Sequence, residues 1–292
     1  MTMPASRNVI QLSNPNKTYR NGFKDSANLG PLRLQWGQDV VDGDGAVTFP
    51  FQQAFASTCY AVLTTSSMPN TRHSLAVGGS SRTGFQIDRS NDIDGPCPFY
   101  WLAIGDATAP VPAGSYDLDS RTALFWGSAD STGDPGQEFK VPRALTPGPS
   151  AVLTTAATGG VRWALSVSGF TPSTGALRIN RDDTINGKVR FHYVGIGGAA
   201  TTAPNSTTAA VLARDGIKLQ WGRSISRSDY EQLFTLPEYF ADMNFAVLTT
   251  VADPDVMSCA PLTRPINSGS FIVDRSTEFD GDRPFYWLAI GR

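Results

Sequence analysis

Phe99-Tyr100-Trp101-Leu102-Ala103-Ile104-Gly105 comes back letter for letter as Phe285-Tyr286-Trp287-Leu288-Ala289-Ile290-Gly291, and in divergent form as Phe191-His192-Tyr193-Val194-Gly195-Ile196-Gly197. Each stretch closes a segment that opens on an aromatic-glycine pair: Leu34-Gln35-Trp36-Gly37, Leu124-Phe125-Trp126-Gly127 and Leu219-Gln220-Trp221-Gly222. Between them, Val-Leu-Thr-Thr begins 26 residues after the Trp in every copy, at 62, 152 and 247. A fourth landmark is Phe85-Gln86-Ile87-Asp88-Arg89, which recurs as Leu177-Arg178-Ile179-Asn180-Arg181 and Phe271-Ile272-Val273-Asp274-Arg275. Copies are offset by 90 and 95 residues at the Trp and by 92 and 94 at the Arg, so the loops have changed length while the landmarks have not. A fixed frame with drifting loops is the pattern of a scaffold that carries recognition surfaces.

The repeats divide the chain into an N-terminal arm (1–31), repeat one (32–105), a linker (106–121), repeat two (122–197), a linker (198–216) and repeat three (217–292). The arm is polar and reads as an anchor that orders on a partner or as a plain disordered tail. The linkers are rich in Pro, Gly, Ala, Thr and Ser. With 28 Gly, 20 Pro and no long amphipathic helical pattern, the class is all-β.

In repeat one the pattern predicts six strands, at 32–36, 46–49, 60–65, 74–78, 84–88 and 99–104, joined by glycine-bearing turns such as Asp42-Gly43-Asp44-Gly45. Six short antiparallel strands suit a compact sandwich. The last strand is apolar on both faces, Tyr100, Leu102 and Ile104 on one and Phe99, Trp101 and Ala103 on the other, so both faces must be covered. One cover is the second sheet of the sandwich. The other is a further repeat or subunit, which predicts an intrachain pseudo-trimer or a homo-oligomer.

A net charge of −2 with 17% charged residues provides no basic field for nucleic acid or a membrane surface. No apolar run approaches the roughly 20 residues of a membrane span, and the N-terminus lacks the layout of a secretory signal, so synthesis and folding in a bacterial cytoplasm are expected. Cys59, Cys97 and Cys259 do not repeat with the frame and read as free, mostly buried thiols.

His73 and His192 stand at non-equivalent positions, and the cysteine spacing matches no zinc pattern, so neither a repeated catalytic triad nor a metal or cofactor site is predicted. The acid-rich loops before the last strands, with Asp92 and Asp94, Asp182 and Asp183, and Glu278, Asp280 and Asp282, read as solvated turns, with weak calcium sites or a glycoside-cleaving pair as lesser alternatives. Arg89, Arg181 and Arg275 are read as structural hydrogen-bonding groups, and Trp36, Trp126 and Trp221, with Trp101, Tyr193 and Trp287, as core. The segments after Val-Leu-Thr-Thr differ completely among the repeats. They supply the candidate ligand-binding residues Arg72, His73, Arg82, Arg162, Trp163, Asp255 and Arg264.

The order Leu-Gln-Trp-Gly, Thr48-Phe49-Pro50 with Phe55, Val-Leu-Thr-Thr and Phe-Tyr-Trp-Leu-Ala-Ile-Gly resembles the C-terminal domain of bacteriophage tail-fibre proteins. That domain is similar to the H-type lectins, six-stranded sandwiches that form trimers and bind sugars. The resemblance covers all three repeats, is strong in one and three and weaker in two, which carries Lys140-Val141-Pro142 and a divergent last strand. It implies a non-enzymatic virion fibre or spike that adsorbs to host surface polysaccharide and docks on other virion proteins through its arm. It maps no sugar-holding residue onto this chain. A structural spacer or decoration protein is the alternative, and a glycan-cleaving tailspike a more remote one.

Overall fold

The computed structural model describes residues 22–42, 45–57, 59–67, 75–89, 95–108, 110, 114–132, 136–145, 148–158, 165–181, 187–198, 209–227, 231–253, 261–274 and 281–292. Repeat one comprises β1 (Lys24–Leu29), β2 (Leu32–Val41), β3 (Val47–Pro50), β4 (Cys59–Ser66), β5 (Ala76–Ser80), β6 (Gly84–Asp88) and β7 (Cys97–Asp106). Repeat two comprises β8 (Ser115–Asp117), β9 (Thr122–Ser131), β10 (Gln137–Lys140), β11 (Ser150–Ala156), β12 (Ser166–Thr171), β13 (Ala176–Asn180) and β14 (Val189–Gly198). Repeat three comprises β15 (Ala209–Arg214), β16 (Ile217–Ser226), β17 (Gln232–Thr235), β18 (Ala246–Val251), β19 (Leu262–Asn267), β20 (Ser270–Asp274) and β21 (Arg283–Gly291).

All pairings are antiparallel, and each repeat is a small β-sandwich of one four-stranded and one three-stranded sheet, ordered β1-β2-β7-β4 and β3-β6-β5 in repeat one and equivalently in the others. Among the described residues each unit thus has seven strands, one more than the six predicted. The additional strands β1, β8 and β15 come from the stretches assigned to the arm and linkers, and each folds back on the Trp-bearing strand that follows it. Lys24-Asp25-Ser26-Ala27-Asn28-Leu29 has no strand-like alternation; the hairpin with β2 supplies its register.

Trp-Gly is a steric unit. Gly37 stands opposite Trp101 across the ladder, where a Cβ would lie 2.9 Å from Trp101 Cζ2. Gly127 faces Tyr193 in the same way, a Cβ there falling 2.6 Å from the ring carbon Cζ. Repeat two departs from the pattern by a coupled exchange. Gln35 and Gln220 give way to Phe125, and the Ala opposite becomes Gly195, whose absent Cβ leaves the space that the Phe125 ring fills.

Every residue of β7 is buried. Phe99, Trp101 and Ala103 enter the sandwich core with Phe49, Phe51, Phe55 and Phe85, while Leu102 and Ile104 enter a separate central cluster. That cluster takes Leu34, Trp36 and Leu63 from repeat one, Leu124, Trp126, Leu153, Val194 and Ile196 from repeat two, and Leu219, Trp221, Leu248, Leu288 and Ile290 from repeat three. The three four-stranded sheets share one interior, with the three-stranded sheets outside. At roughly 1.5–3 kcal/mol per buried large side chain, this common core dominates the association of the repeats.

Cys59 and Cys97 are free thiols, Cys97 buried and Cys59 half-buried, and burial pushes the Cys59 thiol up to about 12. Cys259 lies outside the described residues. No helix among the described residues is long and apolar enough to cross a membrane.

Candidate functional site

Strand register fixes the two ends of each repeat. In repeat one, β4 meets the start of β7 at Ser66 and Phe99 and its end at Cys59 and Gly105, so the variable segment after Val-Leu-Thr-Thr leaves from the end where β7 begins. β18 and β21 repeat this, Val251 facing Phe285.

At that end the threonines interlock in a ring. The Thr64 N–H donates to Thr155 Oγ1 at 2.9 Å, the Thr154 N–H to Thr250 Oγ1 at 3.0 Å, and the Thr249 N–H to Thr65 Oγ1 at 3.0 Å. The same three hydroxyls donate back, Thr155 to the Thr64 carbonyl at 3.4 Å, Thr250 to that of Thr154 at 3.5 Å and Thr65 to that of Thr249 at 3.5 Å. One donor and one acceptor per junction, cycling from repeat to repeat, define a pseudo-threefold axis. The first threonine of each pair works inside its own repeat, with hydroxyls donating to the carbonyls of Leu75, Leu165 and Pro261 at 3.0, 3.2 and 2.8 Å. Since a buried polar group costs free energy unless it is paired, the Thr-Thr spacing satisfies two different junctions at once.

Around this ring lies one cavity of about 40 Å³, lined by the threonines and by Ser66, Leu75, Ala156, Leu165, Val251 and Pro261. Those last six flank the three variable segments, so three unlike segments of chain leave and return around one axial, partly polar opening.

Of the candidate binding residues, Arg72, His73, Arg162, Trp163 and Asp255 lie outside the described residues, within these segments. Arg82 is exposed in the β5–β6 turn, at the far end of β5 from Leu75. Arg264 sits on β19, where its guanidinium donates to Glu231 Oε1 at 2.8 Å. The structure does not bring Arg82 and Arg264 together.

Arg89 and Arg181 are buried and clasp the bases of the acid-rich loops: Arg89 donates to the Gly95 carbonyl, and Arg181 to the Gly187 carbonyl at 2.5 Å and the Ser131 carbonyl at 3.4 Å. Arg275 and the loop acids Asp92, Asp94, Asp182, Asp183, Glu278 and Asp280 lie outside the described residues. Trp36, Trp126, Trp221, Trp101, Tyr193 and Trp287 are all buried. Trp126 stacks on Tyr60 of repeat one with centroids 5.7 Å apart, and Trp221 Nε1 donates to the Pro149 carbonyl of repeat two at 3.0 Å. Among the described residues no group of His, Cys, Asp and Glu is placed to hold a metal ion.

His192 replaces the tyrosine of the other two repeats and lies buried against repeat one, its Nδ1 3.2 Å from both the N and O of Val62. Burial, reinforced by the charge of Arg190, holds the imidazole below its ordinary value, and the Val62 contact opposes them. The unfolded chain binds this proton more readily. The stabilisation is therefore complete above about pH 6.5 and is lost as pH falls from there through the depressed folded value. Urea midpoints at about pH 5 and about pH 7.5 should show wild type losing more stability on acidification than His192→Tyr, which carries the residue of repeats one and three. Equal losses would remove His192 from the acid response.

The described residues form three β-sandwiches closed around a pseudo-threefold axis, with the residues that flank three unlike sequence segments gathered at one end. Residues 31–106 match the family described as "Putative tail fiber protein gp53-like, C-terminal". Repeat one is thus similar to a phage tail-fibre C-terminal domain, and repeats two and three reproduce its sheet order. The match spans β2 to β7 of repeat one and supports a phage fibre component, associated with the virion. No curated protein and no solved structure matches the chain.

Proposed function

We propose that this fibre component is a non-enzymatic adhesin that binds host surface polysaccharide through its loop-bearing end and attaches to other virion proteins through residues 1–21. The observation that carries the reading is that the residues flanking three dissimilar segments gather around one axis of a frame otherwise held nearly constant. Selection for packing alone favours like contacts at like positions, whereas recognition tolerates and uses differences at loop tips.

The test is adsorption of labelled protein to host cells, with cells stripped of surface polysaccharide as the comparison. A deletion of residues 1–21 stops short of β1 and removes none of the described strands. Binding that survives the deletion and disappears with the polysaccharide is the expected result. Arg72→Ala and Trp163→Ala should weaken it while unfolding free energy stays within about 0.5 kcal/mol of wild type. Failure to bind any cells would leave a structural spacer as the function, and release of reducing ends from purified polysaccharide would make the protein an enzyme.

A further inference from the structure

At the opposite end of the molecule, repeat three departs from its siblings. Its segment Glu238-Tyr239-Phe240 is equivalent to Gln53-Ala54-Phe55 of repeat one: Gln220 and Gln35 hold the backbones of Glu238 and Gln53 by the same pair of hydrogen bonds. Repeat two has Ala144 at this place, before Leu145, whose N–H donates into the β12–β13 turn as those of Phe55 and Phe240 donate into theirs. Only repeat three carries an aromatic residue here, and Tyr239 is 71% exposed. Its ring lies against Gly269, where any Cβ would collide with it. One face of an aromatic ring is thus backed by main chain and the rest is offered to solvent.

Beside it is an open groove of about 430 Å³, lined by Ala213 and Ile217 as well as by Arg214, Asp215, Lys218 and Arg292. Lys218 ties the groove to the Tyr239 main chain, its ammonium donating to the Tyr239 carbonyl at 2.5 Å. The groove's cations are matched by carboxylates: Arg214 with Asp215 at 3.1 Å, Lys218 with Glu238 at 3.1 Å, and Arg292 with Asp25 of repeat one at 2.7 Å. These pairs are part-exposed and hold together weakly in water. Together their side chains set donors and acceptors side by side, three cations against three carboxylates. Vicinal hydroxyls, which both donate and accept, suit such a surface, and the apolar face of a pyranose suits an open aromatic ring.

We infer that the Tyr239 ring and the adjoining groove form a saccharide site confined to repeat three, selective for neutral sugars. This goes beyond the loop-end reading: it places a second, separate contact for surface glycan at the other end of the molecule.

The full chain should be assayed on an array of neutral hexose and N-acetylhexosamine oligosaccharides beside uronate-containing ones, as wild type, Tyr239→Ala and Tyr239→Phe. Neutral oligosaccharides should bind wild type and Tyr239→Phe, and Tyr239→Ala should lose about tenfold or more in affinity with unchanged melting temperature. Retention of affinity by Tyr239→Ala, or binding of uronate-containing oligosaccharides alone, overturns the site. If cells still adsorb Tyr239→Ala in a polysaccharide-dependent way, the loop-end adhesin stands and only this site falls. If wild type binds neither array nor cells, both fall.

Discussion

Valine at the second threonine of all three Val-Leu-Thr-Thr segments (Thr65→Val, Thr155→Val and Thr250→Val) is expected to cost about 3–9 kcal/mol, at about 1–3 kcal/mol for each buried junction left unpaired. Valine keeps the shape and removes only the hydroxyl. The N–H groups of Thr249, Thr64 and Thr154 then lose their acceptors, and the matching carbonyls lose their donors. A loss of that size is comparable to the whole stability of many domains, about 5–15 kcal/mol. Urea unfolding of wild type should therefore show the repeats melting together, and the triple variant a transition at much lower urea or one split between units. Single variants should each show about a third of the effect. A triple variant as stable as wild type would mean that the apolar cluster alone holds the repeats.

Trp221→Ala is expected to destabilise by about 3–5 kcal/mol from the lost burial and the cavity, with about 1–3 kcal/mol more from the Pro149 carbonyl it leaves unpaired. The side chain is fully buried in the central cluster and its indole N–H reaches repeat two. The damage should therefore spread beyond repeat three. Amide hydrogen exchange in β11, which follows Pro149, should rise together with that in β16. A loss under about 1 kcal/mol, or exchange confined to repeat three, would show that Trp221 serves only its own sandwich.

Much of this architecture could be read from the letters because the strongest signals coincide with the deepest burial. The doubly apolar run Phe99 to Ile104 states its own requirement for two covers, and the sheet meets one with the Phe49–Phe85 core and the other with its neighbours. The edge strands could not be read. Ser115-Tyr116-Asp117 is three residues long and only partly buried, and it is a strand because β9 lies beside it. The ring was hidden for another reason. Threonine is an ordinary strand residue, and nothing in Val-Leu-Thr-Thr distinguishes a hydroxyl facing its own repeat from one facing the next. The constant distance from Trp to Val-Leu-Thr-Thr was the available clue, since a motif whose partners sit in other repeats cannot drift without breaking them. The Tyr239 platform also left a trace, an aromatic residue where the sibling repeats have Ala54 and Ala144, visible only once backbone hydrogen bonds align the copies.

The Arg292–Asp25 pair joins repeat three to β1 of repeat one and closes the circle of repeats within one polypeptide. In an assembly of three identical chains, every change to a loop appears three times and must suit all three positions at once. Here a change to one loop appears once. Within this chain the three positions around the axis can therefore be altered singly, each without a matching change at the other two.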